Sequence, residues 1–307
     1  MYDILVVGAG TAGLSAGIYG VRQNKSVLIL EANTFGGQII NTPDIENYPG
    51  IAHTSGFDFA MGLYQQAIDL GVEYRQARVA SIEDAGDHKI AVLEDGDRIA
   101  SRTIILATGA KNRPLGLAHE KEWIGRGISY CATCDGMFYR KKIVAVNGGG
   151  NTALEDAEFL SNIVEKVYVI HRRDQFRGEP VRVEKLRARE NVEFVLNANI
   201  TALLGQDRLE ALEVTDKITG EKRIIKVNGL FVAIGQAPEN MIFSNVVGLD
   251  KGGYIVAGED CKTNVDGIFA AGDTRTKTVR QLTTAASDGA VAALAAVAYI
   301  HDNEMSA

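Results

Sequence analysis

Two cysteines, Cys131 and Cys134, stand three positions apart, and Asp135 follows the second directly. Spacing of this kind lets two thiols close a disulfide and lowers the pKa of one of them. Opening a disulfide needs a proton donor, and a carboxyl group partly shielded from water has its pKa raised toward that task. Asp135 is the candidate acid, against the plainer reading of a turn or helix-capping aspartate. Three readings of the thiol pair compete. A structural zinc site needs about four ligands, yet Cys261 is remote in sequence and no histidine pair has ligand spacing, so no metal is expected. Two inert buried thiols are the second reading. Redox chemistry is the third, because Cys-x-x-Cys in a chain with few cysteines is more often reactive or metal-binding than structural. Cys261 reads as a small apolar residue.

A second group of residues is suited to nucleotides. Gly8-Ala9-Gly10-Thr11-Ala12-Gly13 follows one apolar run, and Gly148-Gly149-Gly150-Asn151-Thr152-Ala153 follows another. In a dinucleotide fingerprint the first glycine permits a tight turn, the second lets the backbone approach a pyrophosphate, and the third lets helix and strand pack closely. One such match is weak evidence, but here both copies lie between a strand signal and a helix signal. Glu31 stands 18 residues after Gly13, where a carboxylate accepts from ribose hydroxyls and repels a 2′-phosphate. That site suits FAD or NAD. At the equivalent place the second copy has His171, Arg172 and Arg173, with Arg177 one helical turn on. Guanidinium groups suit phosphate oxygens, so this site should prefer NADPH to NADH. The bland alternative is a solvated charged loop. Two nucleotide sites in one chain imply electron transfer between two cofactors, for which FAD and NADPH are the usual pair. Asp273, just after a buried strand, is placed to bond a flavin ribityl or phosphate-linked oxygen, unless it only caps the helix that follows.

The elements that must position these groups repeat. A strand over residues 4–7, a helix from Leu14 to about Arg22 and a strand over residues 27–30 form the first βαβ unit. A strand over residues 143–146, a helix to about Leu160 and a strand over residues 167–170 form the second. A β-rich insertion follows each: residues 72–102, with turn signals at Gly86-Asp87 and Asp95-Gly96, and residues 192–227, with one at Thr219-Gly220. They close on the apolar strands at residues 104–106 and 230–234. A last strand at residues 268–271 and an alanine-rich helix from about Thr283 belong with the first copy. The expected fold is α/β, with two Rossmann-like three-layer nucleotide-binding domains, the second inserted within the first. The FAD domain would be residues 1–113 with 237–307, and the NADPH domain, carrying the cysteine pair, residues 114–236.

Composition narrows the class. The chain has 307 residues, 46% apolar and 23% charged, with 33 glycines. That is ordinary for globular domains apart from the glycine. A net charge of −7 without long runs of one sign argues against a nucleic-acid surface. Residues 1–10 carry Asp3 and no basic stretch, unlike a signal peptide. The apolar run at residues 290–300 is shorter than the roughly 20 residues a bilayer requires, and suits a buried helix. A cytoplasmic protein without membrane or nucleic-acid partners is expected.

Taken together these motifs resemble the low-molecular-weight thioredoxin reductases of bacteria. The likeness spans essentially the whole chain. It rests on both fingerprints, Gly36-Gly37-Gln38, Glu46-Asn47-Tyr48-Pro49-Gly50, Ala107-Thr108-Gly109, Cys131-Ala132-Thr133-Cys134-Asp135-Gly136, His171-Arg172-Arg173 and Ala271-Gly272-Asp273 with Arg280-Gln281. The resemblance implies that residues 8–13, Glu31, Gly37, Gln38, Asn47, Ala107, Thr108, Gly109, Gly272, Asp273, Arg280 and Gln281 hold FAD. It implies that Gly148, Gly150, Asn151, Thr152, His171, Arg172, Arg173, Arg177, Ile234 and Gly235 hold NADPH. The implied activity is thioredoxin-disulfide reduction. NADPH reduces FAD, FAD reduces the Cys131–Cys134 disulfide, and Cys131 attacks the disulfide of a partner, thioredoxin foremost. Cys134 would be the thiol nearer the flavin, and Asp135 the acid. The inserted domain would rotate about its two linkers, and the enzyme would be a homodimer. Alternatives keep the cofactors and change the partner (a peroxiredoxin or glutaredoxin-like carrier), or make the chain a ferredoxin-linked reductase, a dithiol oxidase or a flavin-binding sensor. Two residues depart from the family pattern: Asn147, where an aliphatic residue is usual, and Val279, where some members carry an aromatic one. Residues 303–307 contain no cysteine, so the second dithiol of the larger thioredoxin reductases is not expected.

Overall fold

The continuous apolar runs become central parallel strands buried on both faces, as their lack of polar alternation requires. The computed structural model describes residues 1–42 and 44–306. The chain divides into two units, Met1–Lys111 with Ala237–Ala307, and Asn112–Gln236. It enters the inner unit at residue 112, two positions before the sequence-based boundary, and leaves after residue 236.

The outer unit begins with β1 (Tyr2–Val7), α1 (Thr11–Arg22), β2 (Val27–Glu31), α2 (Gly56–Asp69), β3 (Glu73–Gln76), β4 (Val79–Asp84), β5 (Lys89–Leu93) and β6 (Arg98–Leu106). A short strand at the crossing, β7 (Lys111–Asn112), precedes the inner unit. That unit holds β8 (Ile128–Ser129), α3 (Ala132–Asp135), β9 (Ile143–Asn147), α4 (Asn151–Leu160), β10 (Lys166–Ile170), α5 (Pro180–Arg187) and β11 (Val192–Val195). It continues with β12 (Ala198–Leu204), β13 (Ala211–Asp216), β14 (Lys222–Lys226) and β15 (Gly229–Val232). The chain returns through β16 (Gln236–Ala237), which pairs with β7, and ends with β17 (Ile268–Ala270) and α6 (Leu282–Ser306).

In the outer unit β3, β2, β1, β6 and β17 form a parallel sheet. Alternate residues of β1 supply its two cores. Ile4 and Val6 pack with Leu14, Ala293 and Val297 beneath α1 and α6. Leu5 and Val7 pack with Phe243, Val247 and Ile255 on the opposite face. Here the β-rich segment is not a sheet of its own. The nine-residue β6 pairs with β5 through Arg98–Ser101 and with β1 from Ser101 onward, so the β4–β5 hairpin extends the parallel sheet. The second insertion does stand apart, as the antiparallel sheet β12-β13-β14.

The inner unit repeats the plan, with β11, β10, β9, β15 and β8 all parallel. Val144, Val146, Leu154, Leu160 and Phe231 form the core on the α4 face. Ala145, Ile170 and Leu230 face Leu212 and Val214 of the antiparallel sheet. Each unit is thus a Rossmann-like α/β layering, as expected.

Helix α6 runs 25 residues, well beyond the apolar run visible in the sequence. By length and composition residues Leu282–Met305 reach what a membrane crossing needs. Its buried face says otherwise of its use here: Ala292, Ala293, Ala296 and Ile300 lie in the α1 core. The two helices touch closely at Gly289, where a Cβ would lie 2.1 Å from the Ala12 carbonyl oxygen.

Candidate functional site

The cysteine pair sits at the carboxyl edge of the inner sheet. Edge strand β8 delivers the chain through Tyr130 to Cys131, which is the N-cap of the single turn α3. Cys131 and Cys134 are joined in a disulfide, with Cα atoms 5.3 Å apart. Both are half-buried. The Cys134 amide donates to Cys131 Sγ at 3.2 Å, and the Thr133 hydroxyl lies 3.4 Å from the same sulfur. Ser129 braces the turn: its Oγ accepts from the Cys131 amide and donates to the Cys131 carbonyl. Asp135 is half-buried, and its charge, added to burial, helps push the Tyr139 phenol up to about 12. The remaining cysteine is inert: Cys261 is fully buried in the outer unit, and burial pushes its thiol up to about 12.

The second fingerprint occupies the same edge of the same sheet, after β9. Gly148 can only be glycine, since a Cβ would stand 2.3 Å from the Ala233 carbonyl oxygen. Gly150, the N-cap of α4, has open space where its side chain would be. No side chain among the described residues caps α4, so its first amides face outward, as anion binding requires. His171 is buried and lies directly over Gly149, where a Cβ would come within 2.1 Å of the imidazole. The ring stacks on Phe176 at 5.1 Å and its Nε2–H donates to the Gln175 carbonyl. Burial lowers its pKa, the hydrogen bond to Gln175 opposes this, and the charges of Arg172, Arg173 and Arg177 lower it further. All three arginines are exposed. Arg177 falls in an irregular turn, not on a helix: its amide and that of Gly178 donate to the Gly149 carbonyl, which bends residues 171–178 back over the fingerprint. In the sequence Gly149 is only one member of a glycine run; the structure makes it the platform for His171. Ile234 and Gly235 follow β15 beside the loop, and Asn147, at the end of β9, is partly exposed.

The outer unit gathers the residues of the first fingerprint. A Cβ on Gly8 would meet the Ala107 carbonyl oxygen at 2.4 Å, and one on Gly13 would meet Gly8 at 1.8 Å, while Gly10 faces open space. Glu31 caps the loop from the end of β2. One carboxylate oxygen accepts from the Ala9 amide and the other from Asn33. Gly37 approaches Gly10, and Gly36 pairs with it. Gln38, in the 3₁₀ turn that Gly37 opens, is exposed. Thr11 and Ala12 open α1, and Ala12 lies under Gly272. Asn47 donates to the Gln281 side chain at 3.3 Å. The Thr108 hydroxyl bonds Thr274 and Asn240, and Asn240, fully buried, also donates to the carbonyls of Gly253 and Thr274. Gly109 follows in a left-handed conformation, φ 68°. Neither Asn240 nor Thr274 carries a sequence signal, because their partners lie up to 166 positions away.

Two atoms of this cluster stand out. Asp273 Oδ1 and Arg280 Nε are buried and have no hydrogen-bond partner among the described residues. Burial raises the Asp273 carboxyl above its ordinary range, with Lys277 and Arg280 opposing. Unsatisfied buried polar groups are uncommon in folded proteins. An orphan acceptor and an orphan donor in the unit whose fingerprint loop leaves Gly10 open fit a polar ligand such as a flavin dinucleotide. Arg280 also lies over the Tyr254 ring at 4.3 Å. One further cluster of ligand-type side chains lies next to Asn47 in the chain. Asp44, Glu46 and His53 bring ligand atoms within 4.8 Å of one another, but all three are partly or fully exposed.

Comparison with known proteins agrees with this geometry. A family profile described as pyridine nucleotide-disulphide oxidoreductase matches residues 2–289. The thioredoxin reductase of Helicobacter pylori is 39% identical over 98% of this chain and 99% of its own. A bifunctional thioredoxin reductase/thioredoxin of Mycobacterium leprae is 37% identical over 99% of this chain and 67% of its own. The crystal structure of thioredoxin reductase from Streptococcus pyogenes superimposes with a TM-score of 0.93, at 38% identity, covering 98% of this chain and 99% of that one.

Proposed function

We infer the activity from one premise: the chain belongs to the pyridine nucleotide-disulphide oxidoreductase family, and within it to the thioredoxin reductases. It is an NADPH-dependent flavoprotein that reduces a disulfide, and its cofactors are FAD and NADPH. The observation that carries the reading is the Cys131–Cys134 disulfide, held at the same sheet edge as a fingerprint bordered by His171 and three arginines. We assign FAD to the outer unit and NADPH to the inner one. FAD would lie against Gly8, Gly10, Gly13, Glu31, Thr108, Asp273 and Arg280. NADPH would lie against Gly148, Gly150, Asn151 and Thr152, with Arg172, Arg173 and Arg177 on the 2′-phosphate. When bound, these cofactors supply the two electrons that open the Cys131–Cys134 disulfide.

The chain's own residues carry the exchange with the partner. Once the pair is reduced, the Cys134 amide aimed at Cys131 Sγ stabilises a thiolate there. Cys131 is accordingly the attacking sulfur. It forms a mixed disulfide with one sulfur of the partner, and the partner's other sulfur leaves as a thiolate. Cys134 then attacks Cys131 Sγ, which restores the internal disulfide and frees the partner's second thiolate. Asp135, adjacent in the same turn, holds the proton that the departing thiolate takes up.

The partner we propose is thioredoxin, in line with the fused thioredoxin of the Mycobacterium leprae relative. We place the enzyme in the cytoplasm as a homodimer. A ferredoxin-linked reductase or an oxidase would leave the folded-back arginine loop without a use. The test is NADPH consumption by the purified holoenzyme with oxidised thioredoxin. Consumption that depends on thioredoxin, with NADH far less effective, is expected. A yellow protein that NADPH cannot bleach would overturn the nicotinamide assignment.

A further inference from the structure

The outer unit buries a group of charges that disulfide reduction does not use. Asp288, in α6, is 5% exposed, and Arg275 is 1% exposed. Asp288 Oδ2 accepts from Arg275 Nε at 2.8 Å, from Lys277 Nζ at 2.9 Å and from the Gly272 amide at 2.9 Å. Its Oδ1 accepts from Arg275 Nη2 at 2.9 Å. Burial works against the Asp288 charge, but Arg275 and Lys277 outweigh it and hold the carboxyl below its usual range. Arg275 also donates to the carbonyls of Ala257 and Thr276. A further contact, to Glu259, is solvent-exposed on the Glu259 side.

Buried ion pairs are poor stabilisers, because apolar side chains of similar size usually serve the core as well. Their geometric effect is firmer: one carboxylate fixes three donors at set positions. Here the three donors belong to residues 272, 275 and 277, which bracket Asp273 on both sides. Asp273 is the residue whose buried Oδ1 lacks a partner. The cluster therefore clamps the short turn that presents this orphan oxygen.

We propose that Asp288 is a positioning residue for the FAD site, fixing the 272–277 turn through Gly272, Arg275 and Lys277 so that Asp273 meets the flavin nucleotide. This rests on the assignment of Asp273 to FAD. Its role is indirect, since the Asp288 carboxylate is already filled by protein donors. Asp288→Asn keeps the shape but removes the charge, so the turn loosens and FAD affinity falls.

The experiment is FAD titration of flavin-free full-length protein, followed by flavin fluorescence, alongside thermal midpoints of the same flavin-free samples. Asp288→Asn should raise the FAD Kd by about tenfold or more, the size that outer partners contribute at metal sites. Asp84→Asn breaks the ion pair with buried Lys89 elsewhere in the outer unit. It should lower the midpoint and leave the Kd within about twofold, because a loss of stability alone does not change affinity for the folded state. Asp273→Ala tests the underlying assignment. An unchanged Kd for that variant overturns the assignment and the inference together. Weakening by Asp273→Ala with an unchanged Kd for Asp288→Asn overturns the inference alone. If Asp288→Asn does not fold, Lys277→Met decides. It keeps the Arg275–Asp288 pair, should raise the Kd by about threefold or more, and an unchanged Kd refutes the clamp.

Discussion

Gly149→Ala asks the inner unit for one methyl group of space that it does not have. The added Cβ would lie 2.1 Å from His171 Cε1 and 2.4 Å from both ring nitrogens. An ordinary carbon contact is about 3.5–4.0 Å, so something must move by about 1 Å or more. The backbone is not free to do so, since the Gly149 carbonyl accepts from Arg177 and Gly178. The imidazole is held by Phe176 and Gln175. Overpacking of this kind costs about 1–3 kcal/mol. Displacing the His171 loop converts that strain into weaker NADPH binding, about 5- to 140-fold at 1.4 kcal/mol per tenfold. Steady-state assays with saturating thioredoxin should show a raised KM for NADPH and a kcat near the parental value, the pattern of lost uniform binding. Flavin content should not change, because the FAD fingerprint lies in the outer unit. A KM within about twofold of the parent, with an unchanged thermal midpoint, would refute the reasoning.

Cys131→Ser should cut thioredoxin reduction by about a thousandfold or more, while NADPH still bleaches the flavin; parental thioredoxin turnover would defeat the mechanism. A charge-assisted phosphate contact is worth about 1.5–3 kcal/mol, so Arg172→Ala or Arg173→Ala alone should raise the KM for NADPH about 10- to 140-fold. The KM for NADH should stay as it was, and a parallel rise would remove the phosphate assignment. Alkylation of the reduced native enzyme at pH 9 should label Cys131 and Cys134 and spare Cys261, whose thiol stays neutral to about pH 12; peptide mapping checks this. Burial, then Glu155, pushes the Asp156 carboxyl up to about 7, against about 3.9 in an unfolded chain. The folded state then binds more protons between those values, so this residue's contribution is lost as pH rises from about 4 to 7. Asp156→Asn should therefore stabilise the protein more at pH 8 than at pH 5 in denaturant unfolding, and equal gains would contradict the assignment.

Much of the architecture is legible in the sequence because it is written locally. The fingerprints, the runs that become β1, β2, β9 and β10, and the Cys-x-x-Cys pair each declare themselves within about ten residues. Helix α1 starts at Thr11, not Leu14, because Gly10 already holds the extended N-cap conformation. The merging of the β4–β5 hairpin with the parallel sheet is not legible, since it depends on β6 being long enough to serve two partners. The fold-back of Arg177 onto Gly149 and the Thr108–Asn240–Thr274 network are tertiary pairings that no periodicity encodes. Asp288 shows the same limit. In the sequence it is an acidic residue in an alanine-rich helix, and only the fold reveals three donors converging on it.

The insertion of one unit inside the other also sets an order in time. During synthesis the inner unit is complete once residue 236 has emerged, with every strand of its sheet available. The outer unit at that moment still lacks β17, which pairs with β6, and α6, which covers α1. Its first 111 residues must wait with Ile4, Val6 and Leu14 uncovered until the last 71 residues arrive (307 − 236). Chains of this size bury such surfaces unit by unit as they emerge. For this one the unit begun second is finished first, and a truncation near the C-terminus exposes the core laid down earliest.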